Sequence, residues 1–271
     1  ELDIPSEVIY EGQRFVVKSM IWCAFANCPE LTRVRIPKTI ESVTHHVLNG
    51  MNGAVSPDHM NPFMGCTALE SVEVDEENPS FKSVDGVFFS QDGKGQYYIG
   101  LDYYNGTGLY CYPAGKKQES YIIPEGVEWI GATAFEYSQH LTTLTIPSTM
   151  ICIYGSAFKG CSNLTDVYCN AENVPKTNKQ AFTDCPLASA TLHVPAGSVD
   201  LYKSTYPWSE FGNIVAIAQD SSPTLEDLLA EAESLLFGCS YVRSSQGTKK
   251  AMLYYSIKEK EEIEGIKYSN L

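Results

Sequence analysis

The sequence predicts a solenoid of short parallel strands stacked coil upon coil, joined by turns, interrupted by inserted hairpins and followed by a small α+β C-terminal segment. Three observations predict it. The phrase apolar-x-apolar-Pro recurs along the chain, a second phrase of Phe-x-x-Cys followed by Leu recurs around it, and both return at a spacing of about 23 residues. A coil that short cannot bury an apolar face alone, whereas equivalent coils laid on one another hide like side chains in a continuous core.

Leu2-x-Ile4-Pro5 opens the chain in mid-repeat, so the lack of a leader at Glu1 says little about destination. The first full copy runs Phe25, Cys28, Leu31, Val34-x-Ile36-Pro37, and the second runs Phe63, Cys66, Leu69, Val72-x-Val74-Asp75. Their Phe residues lie 38 apart, which implies an insertion near 45–60. Phe81 to Phe89 holds Asp85-Gly86 and is followed by Asp92-Gly93. This is hairpin material, because Asp-Gly accepts left-handed turn geometry. Tyr110-x-Tyr112-Pro113 and Tyr121-x-Ile123-Pro124 lie eleven residues apart, too close to end two ordinary coils. With the turn at Ala114-Gly115-Lys116-Lys117 between them, they are expected as neighbouring strands of an enlarged coil, and residues 78–112 as a second insertion.

The clearest copies follow. Phe135 leads through Leu141 to Leu144-x-Ile146-Pro147, Phe158 through Cys161 and Leu164 to Val167-x-Cys169-Asn170, and Phe182 through Cys185 and Leu187 to Leu192-x-Val194-Pro195. The steps between the Phe residues are 23 and 24. In Leu144-x-Ile146 a period of two puts both side chains on one face of a strand, and Pro147, lacking an amide donor, stops it. Four positions depart from the pattern: Ser138 stands in place of Cys, Pro62 in place of Ala, and Asp75 and Asn170 in place of the closing Pro.

After about residue 217 the repeat is lost. Ser221-Ser222-Pro223-Thr224 can start a helix that carries Leu225, Leu228, Leu229, Ala232, Leu235 and Leu236 on one face and stops at Gly238. Met252 to Ile257 reads as a strand. Two domains are therefore expected: 1–217, the solenoid with insertions near 45–60 and 78–112, and 218–271, either a helical cap on the open end of the stack or the start of a small separate domain.

These phrases resemble the BspA-like family of bacterial leucine-rich repeats, whose units carry an Ala-Phe, a Cys, a Leu and a closing Ile-Pro. Here those positions are Ala24-Phe25, Ala134-Phe135, Ala157-Phe158 and Ala181-Phe182, with Cys28, Cys66, Cys161 and Cys185. Asn78-Pro79-Ser80-Phe81 with Asp85 to Ser90 resembles a common insertion of that family, and Tyr202 to Ile217, with Pro207-Trp208 and Phe211, resembles the ending of such arrays in Bacteroidales proteins of the gut. The resemblance implies a leucine-rich-repeat solenoid living at the cell surface or secreted. It also implies a noncatalytic binding or adhesion module for a host or bacterial surface protein or a glycan. A structural spacer that displays another domain and an enzyme of unrecognised type are the alternatives.

Composition bounds the reading further. A chain of 271 residues, 44% apolar and 19% charged, is ordinary for a folded soluble domain. A net charge of -14 disfavours nucleic acid and anionic membranes, which need clustered Lys and Arg; the adjacent pairs Lys116-Lys117 and Lys249-Lys250 read as solvated surface. No apolar run is long enough to span a bilayer. Of nine cysteines, four hold one repeat position and are expected as mostly free, core-facing thiols, with a bond between neighbouring coils, such as Cys152 to Cys169, left open.

The inventory of chemistry is short. No His-Glu-x-x-His, Gly-x-Ser-x-Gly, phosphate loop or dinucleotide fingerprint is present, so no cofactor, metal or catalytic residue is expected. Ser156-x-x-Lys159 matches the opening of a serine acyl-enzyme motif without its companions, and Asp75-Glu76-Glu77 with Asp85 or Asp92 lacks the spacing of a calcium loop. The candidate partner-binding residues are His45 and His46, in the first insertion, and Tyr97, Tyr98, Tyr103, Tyr104 and Tyr110, in a segment with six tyrosines in sixteen residues. Tyrosine offers a broad apolar ring and a hydroxyl at small entropic cost, which suits a protein or sugar surface.

Overall fold

The structure is a computed structural model that describes residues 1–21, 24–44, 61–99 and 102–217, with the backbone alone at 44, 97–99 and 102–103. The expectations for His45, His46, the 45–60 insertion and the helix from Thr224 fall outside the described residues, as does the whole of 218–271. The chain divides into two units, Glu1–Ile217 and Ala218–Leu271.

The repeat unit is a leucine-rich-repeat solenoid in which the apolar-x-apolar phrases are strands. Ser120–Ile122, Thr143–Ile146, Asp166–Cys169, Thr191–Val194 and Asn213–Ala216 pair in that order as a five-stranded parallel sheet. The alternation works as the period of two requires: Leu144 and Ile146 are fully buried, Thr143 and Thr145 half-buried, and the strand ends at the residue before Pro147. After each of the first three of these strands the chain turns and adds a strand to a second row, where Val127–Ile130, Cys152–Ile153 and Lys176–Thr177 are again parallel. The N-terminal coils repeat the scheme, with Leu2–Asp3, Arg33–Ile36 and Ser71–Val74 in one sheet and Ser19–Ile21 beside Ser42–Thr44 in another.

The second row does not stop at three strands. Asp102–Cys111 joins it parallel to Val127–Ile130, and Val87–Ser90 and Phe81–Val84 extend it antiparallel into a seven-stranded sheet that also counts Gly95–Ile99. The hairpin turn between Phe81–Val84 and Val87–Ser90 has positive φ at both Asp85 (50°) and Gly86 (75°), the mirror-image turn that Asp-Gly favours. This hairpin lies against the last N-terminal coil, where Val72 donates to the Gly86 carbonyl at 2.9 Å and Val74 to Ser83 Oγ at 3.0 Å.

One expectation is corrected here. The strands around Tyr110 and Tyr121 are not neighbours, since Asp102–Cys111 belongs to the seven-stranded sheet and Ser120–Ile122 to the five-stranded one. The tight spacing arises because a single coil delivers one strand to each row.

At Val87–Ser90 the seven-stranded sheet is buried on both faces, which accounts for the unbroken run Val87-Phe88-Phe89. Phe89, Leu109, Ile130 and Ile153 face the core of the C-terminal coils, while Phe88, Tyr110, Trp129 and Cys152 face a second core shared with Phe63 and Phe81. In the first core, Tyr112, Phe135, Phe158 and Phe182 form a ladder with ring centroids 4.9, 5.2 and 5.0 Å apart. Tyr202, Trp208 and Phe211, all buried, close the end of that core within the described residues.

The cysteine position forms a second ladder. Cys66, Cys161 and Cys185 each direct their thiol at the carbonyl of the Phe one coil back, Phe25, Phe135 and Phe158, at 2.9, 3.1 and 3.0 Å. All seven described cysteines are free, and Cys152 and Cys169 lie in different cores. Cys28, in the first full copy, is exposed rather than core-facing. Ser138 is buried where a Cys is expected, and its hydroxyl finds no partner.

Immediately before each of these positions the backbone is left-handed, at Asn27, Gly65, Tyr137, Gly160 and Asp184. Only two of the five are glycine. Gly160 is needed for space as well as for φ, because a Cβ there would come within 2.5 Å of the Tyr137 ring of the preceding coil.

Candidate binding surfaces

Coil stacking sends alternate residues of every strand outward, so the outer faces of the parallel sheets are rows of equivalent positions. On the five-stranded sheet one row is Ile122, Thr145, Tyr168, His193 and Val215, and the other is Ser120, Thr143, Asp166, Thr191 and Asn213. Ile122 is 71% exposed. Tyr168 and His193 stack face to face with centroids 4.1 Å apart and planes 7° from parallel, and His193 Nε2 meets Asp166 Oδ1 at 3.0 Å. That hydrogen bond from His193 holds the Asp166 carboxyl below its ordinary range, against a smaller opposing effect of burial. The three side chains form a fixed edge of one aromatic pair and one carboxylate.

The equivalent face of the N-terminal sheet is spent on itself. Arg33 and Arg35 share Glu73 at 3.3 and 3.1 Å, and Arg35 also meets Asp3 at 3.4 Å. Such exposed pairs contribute little to stability, but they leave the face electrically balanced.

The tyrosine segment divides into two environments. Gly95–Ile99 and Asp102–Cys111 form an antiparallel hairpin whose register sets Tyr97 opposite Tyr104 and Tyr98 opposite Tyr103. Tyr104 is 42% exposed, whereas the side chains of Tyr97, Tyr98 and Tyr103 lie outside the described residues. Tyr110 is not on a surface. It packs against Phe81, Phe88 and Trp129 with centroids 5.6, 5.3 and 4.9 Å away, because by then the strand has entered the buried sheet. A change of burial along a single strand leaves no mark in the tyrosine spacing.

The weak chemical motifs resolve into structure. Lys159 pairs with the nearly buried Glu136 at 3.1 Å and lies 5.3 Å over the Tyr137 ring, and the Glu136 hydrogen bond raises its pKa, the opposite of what a general base needs. Asp75 accepts from the Glu77 amide at 2.9 Å, Glu77 pairs with Lys38, and Asp92 pairs with Lys82. Among the described residues no three His, Cys, Asp or Glu side chains gather as a metal site, and no helix is long and apolar enough to cross a membrane.

Parallel coils, two strand rows and the stacked Phe and Cys positions define the class as a leucine-rich-repeat solenoid, in general a scaffold that binds rather than catalyses. The chain belongs to the BspA-type leucine-rich repeat family, whose repeat matches in six copies over residues 16–56 and 107–204, a little over half of the chain. Solved structures similar in fold include the pneumococcal vaccine antigen PcpA, at 19% identity over 74% of this chain and 59% of that one, TM-score 0.40. A leucine-rich repeat protein from Eubacterium ventriosum is similar at 15% identity over 74% and 52%, TM-score 0.41. A leucine rich cell surface protein from Faecalibacterium prausnitzii is similar at 14% over 81% and 88%, TM-score 0.36. This chain therefore spans only 59% and 52% of the first two. No curated protein matches it.

Proposed function

We propose that the repeat unit is a noncatalytic recognition module, acting at the cell surface or after secretion, that binds a host or bacterial surface protein or a glycan. One observation carries the reading. The outer row Ile122, Thr145, Tyr168, His193 and Val215 is apolar or aromatic at every position but Thr145, whereas the N-terminal sheet neutralises its own charges. Rows of this kind hold side chains at fixed spacing on a rigid backbone, which lowers the ordering cost of binding. The tyrosine hairpin at 95–106 belongs to the same proposal, with Tyr97, Tyr98, Tyr103 and Tyr104 as its contact residues, and so do His45 and His46. Membership in the BspA-type family supports the surface or secreted setting, and residues 218–271 stand as a cap or small separate domain.

The test is binding of the whole chain to panels of surface proteins and glycans, comparing wild type with Tyr168→Ala, Ile122→Asp and Tyr104→Ala. A ligand whose affinity falls at least tenfold in one of these folded variants supports the module, because truncating a buried aromatic anchor commonly costs that much. No ligand on either panel favours the spacer, and turnover of a panel member favours an enzyme.

A further inference from the structure

A cleft lies in the wall of the solenoid beside Asn170, one of the two residues that stand in place of a closing proline. In the coil before it, Pro147 holds a tight turn in which the Met150 amide donates to the Pro147 carbonyl at 3.2 Å and Met150 plugs the interior. In the Asn170 coil the chain takes a wider path. The Ala171 carbonyl is drawn to the Tyr202 hydroxyl at 2.8 Å and the Glu172 carbonyl to Ser198 Oγ at 2.6 Å. The two turns part, leaving a cleft of about 680 Å³ between 148–151 and 170–176, within the size range of small-ligand sites.

The lining falls into two chemical kinds. Ser148 and Thr149 are committed to the fold, Ser148 Oγ to Glu125 at 3.1 Å and Thr149 Oγ1 to the Val127 carbonyl at 2.8 Å. Among the described residues, the side chains of Asn170, Glu172, Asn173 and Lys176 take part in no hydrogen bond or ion pair. Two amides, one carboxylate and one ammonium therefore share the cleft with the apolar side chains of Met150, Ile151, Val174 and Pro175, of which Ile151 and Val174 are half-buried. Their formal charges cancel, in a chain whose net charge is -14.

We infer that this cleft binds a neutral oligosaccharide. A sugar ring presents an apolar C–H face to such apolar lining. Its neighbouring hydroxyls both donate and accept, and amide and carboxylate side chains with two adjacent polar atoms answer them in pairs. A charged ligand has less to gain, because each ion at the rim is offset by the other. The inference rests on the recognition-module reading and gives it a ligand class and a place distinct from the outer sheet row.

Titration calorimetry of the whole chain with maltotetraose, xylotetraose, chitotetraose and galactan tetrasaccharide, with a sulfated heparin tetrasaccharide and a peptide library as controls, tests it. Saturable binding of one neutral sugar is expected, weakened at least about tenfold by Asn173→Ala and by Lys176→Gln and unchanged by Tyr168→Ala. Asn173 and Lys176 are exposed, so both variants should keep the wild-type circular dichroism. No binding by any neutral sugar, binding that survives both variants, or preference for the sulfated sugar or a peptide overturns the inference. A panel ligand sensitive to Tyr168→Ala but indifferent to Asn173→Ala leaves the module standing and removes only the cleft.

Discussion

Phe158→Ala is the sharpest test of the stacked core. Phe158 is fully buried, with Phe135 at 5.2 Å on one side and Phe182 at 5.0 Å on the other. Truncating a buried Phe costs about 3–5 kcal/mol. Here the loss should sit near the upper end, since each aromatic contact adds about 0.5–1.5 kcal/mol and neither neighbour can close the gap without leaving its own coil. Against a domain stability of about 5–15 kcal/mol and a urea slope of about 2 kcal/mol/M, the midpoint should fall by about 2 M. Urea unfolding followed by far-UV circular dichroism and tryptophan fluorescence measures this, with Ile122→Ala, 71% exposed, as the control. A Phe158→Ala midpoint within about 0.3 M of the control at unchanged slope would refute the account of a shared interior.

Three other outcomes follow from single contacts. Gly108→Ala would bring a Cβ within 1.9 Å of the buried Trp129 ring, and a loss of about 2–3 kcal/mol with a shifted tryptophan emission is expected; an unchanged midpoint would show the strand is not seated there. Ser138→Cys should raise stability by about 1 kcal/mol in thermal unfolding, because it replaces a buried, unpartnered hydroxyl with the thiol that at the equivalent positions Cys66, Cys161 and Cys185 meets a carbonyl one coil back. A lower midpoint would contradict this. His193→Ala should move the Asp166 carboxyl titration upward, as read by carbon NMR. Because His193 depresses that carboxyl, the pair's stabilising effect is present above the ordinary carboxylate range and is lost as pH falls through the lowered value. A titration that does not move would mean the hydrogen bond is absent in solution.

Much of the architecture was readable because its signals are local. The strand at Thr143–Ile146, its end before Pro147 and the Asp85-Gly86 turn each depend on a few adjacent residues and came out as the sequence suggests. The sites were harder. Tyr104 and Tyr110 lie on one strand with the same side chain, yet one is 42% exposed and the other 6%. What separates them is the arrival of Phe81 and Phe88 over the second face of the sheet, a contact between segments remote in sequence. The outer pair Tyr168 and His193 escaped notice for a related reason. They lie 25 residues apart and meet only because the coil register sets Tyr168 beside His193. Counting outward positions coil by coil would have found them.

By itself the sequence determined the period, and with it the coil, the strand phrases and the side chains that stack, since a repeated pattern of apolar spacing can be satisfied only by burying like upon like. It also determined the family and the lack of a recognisable catalytic motif. Tertiary structure alone decided that the second strand row becomes a seven-stranded sheet with a core on each face, that Asn27, Tyr137 and Asp184 share the left-handed corner with two glycines, and that a cleft lies between residues 148–151 and 170–176. Each of these is settled by what the next coil, or a distant hairpin, leaves room for, and no window of adjacent residues carries that information.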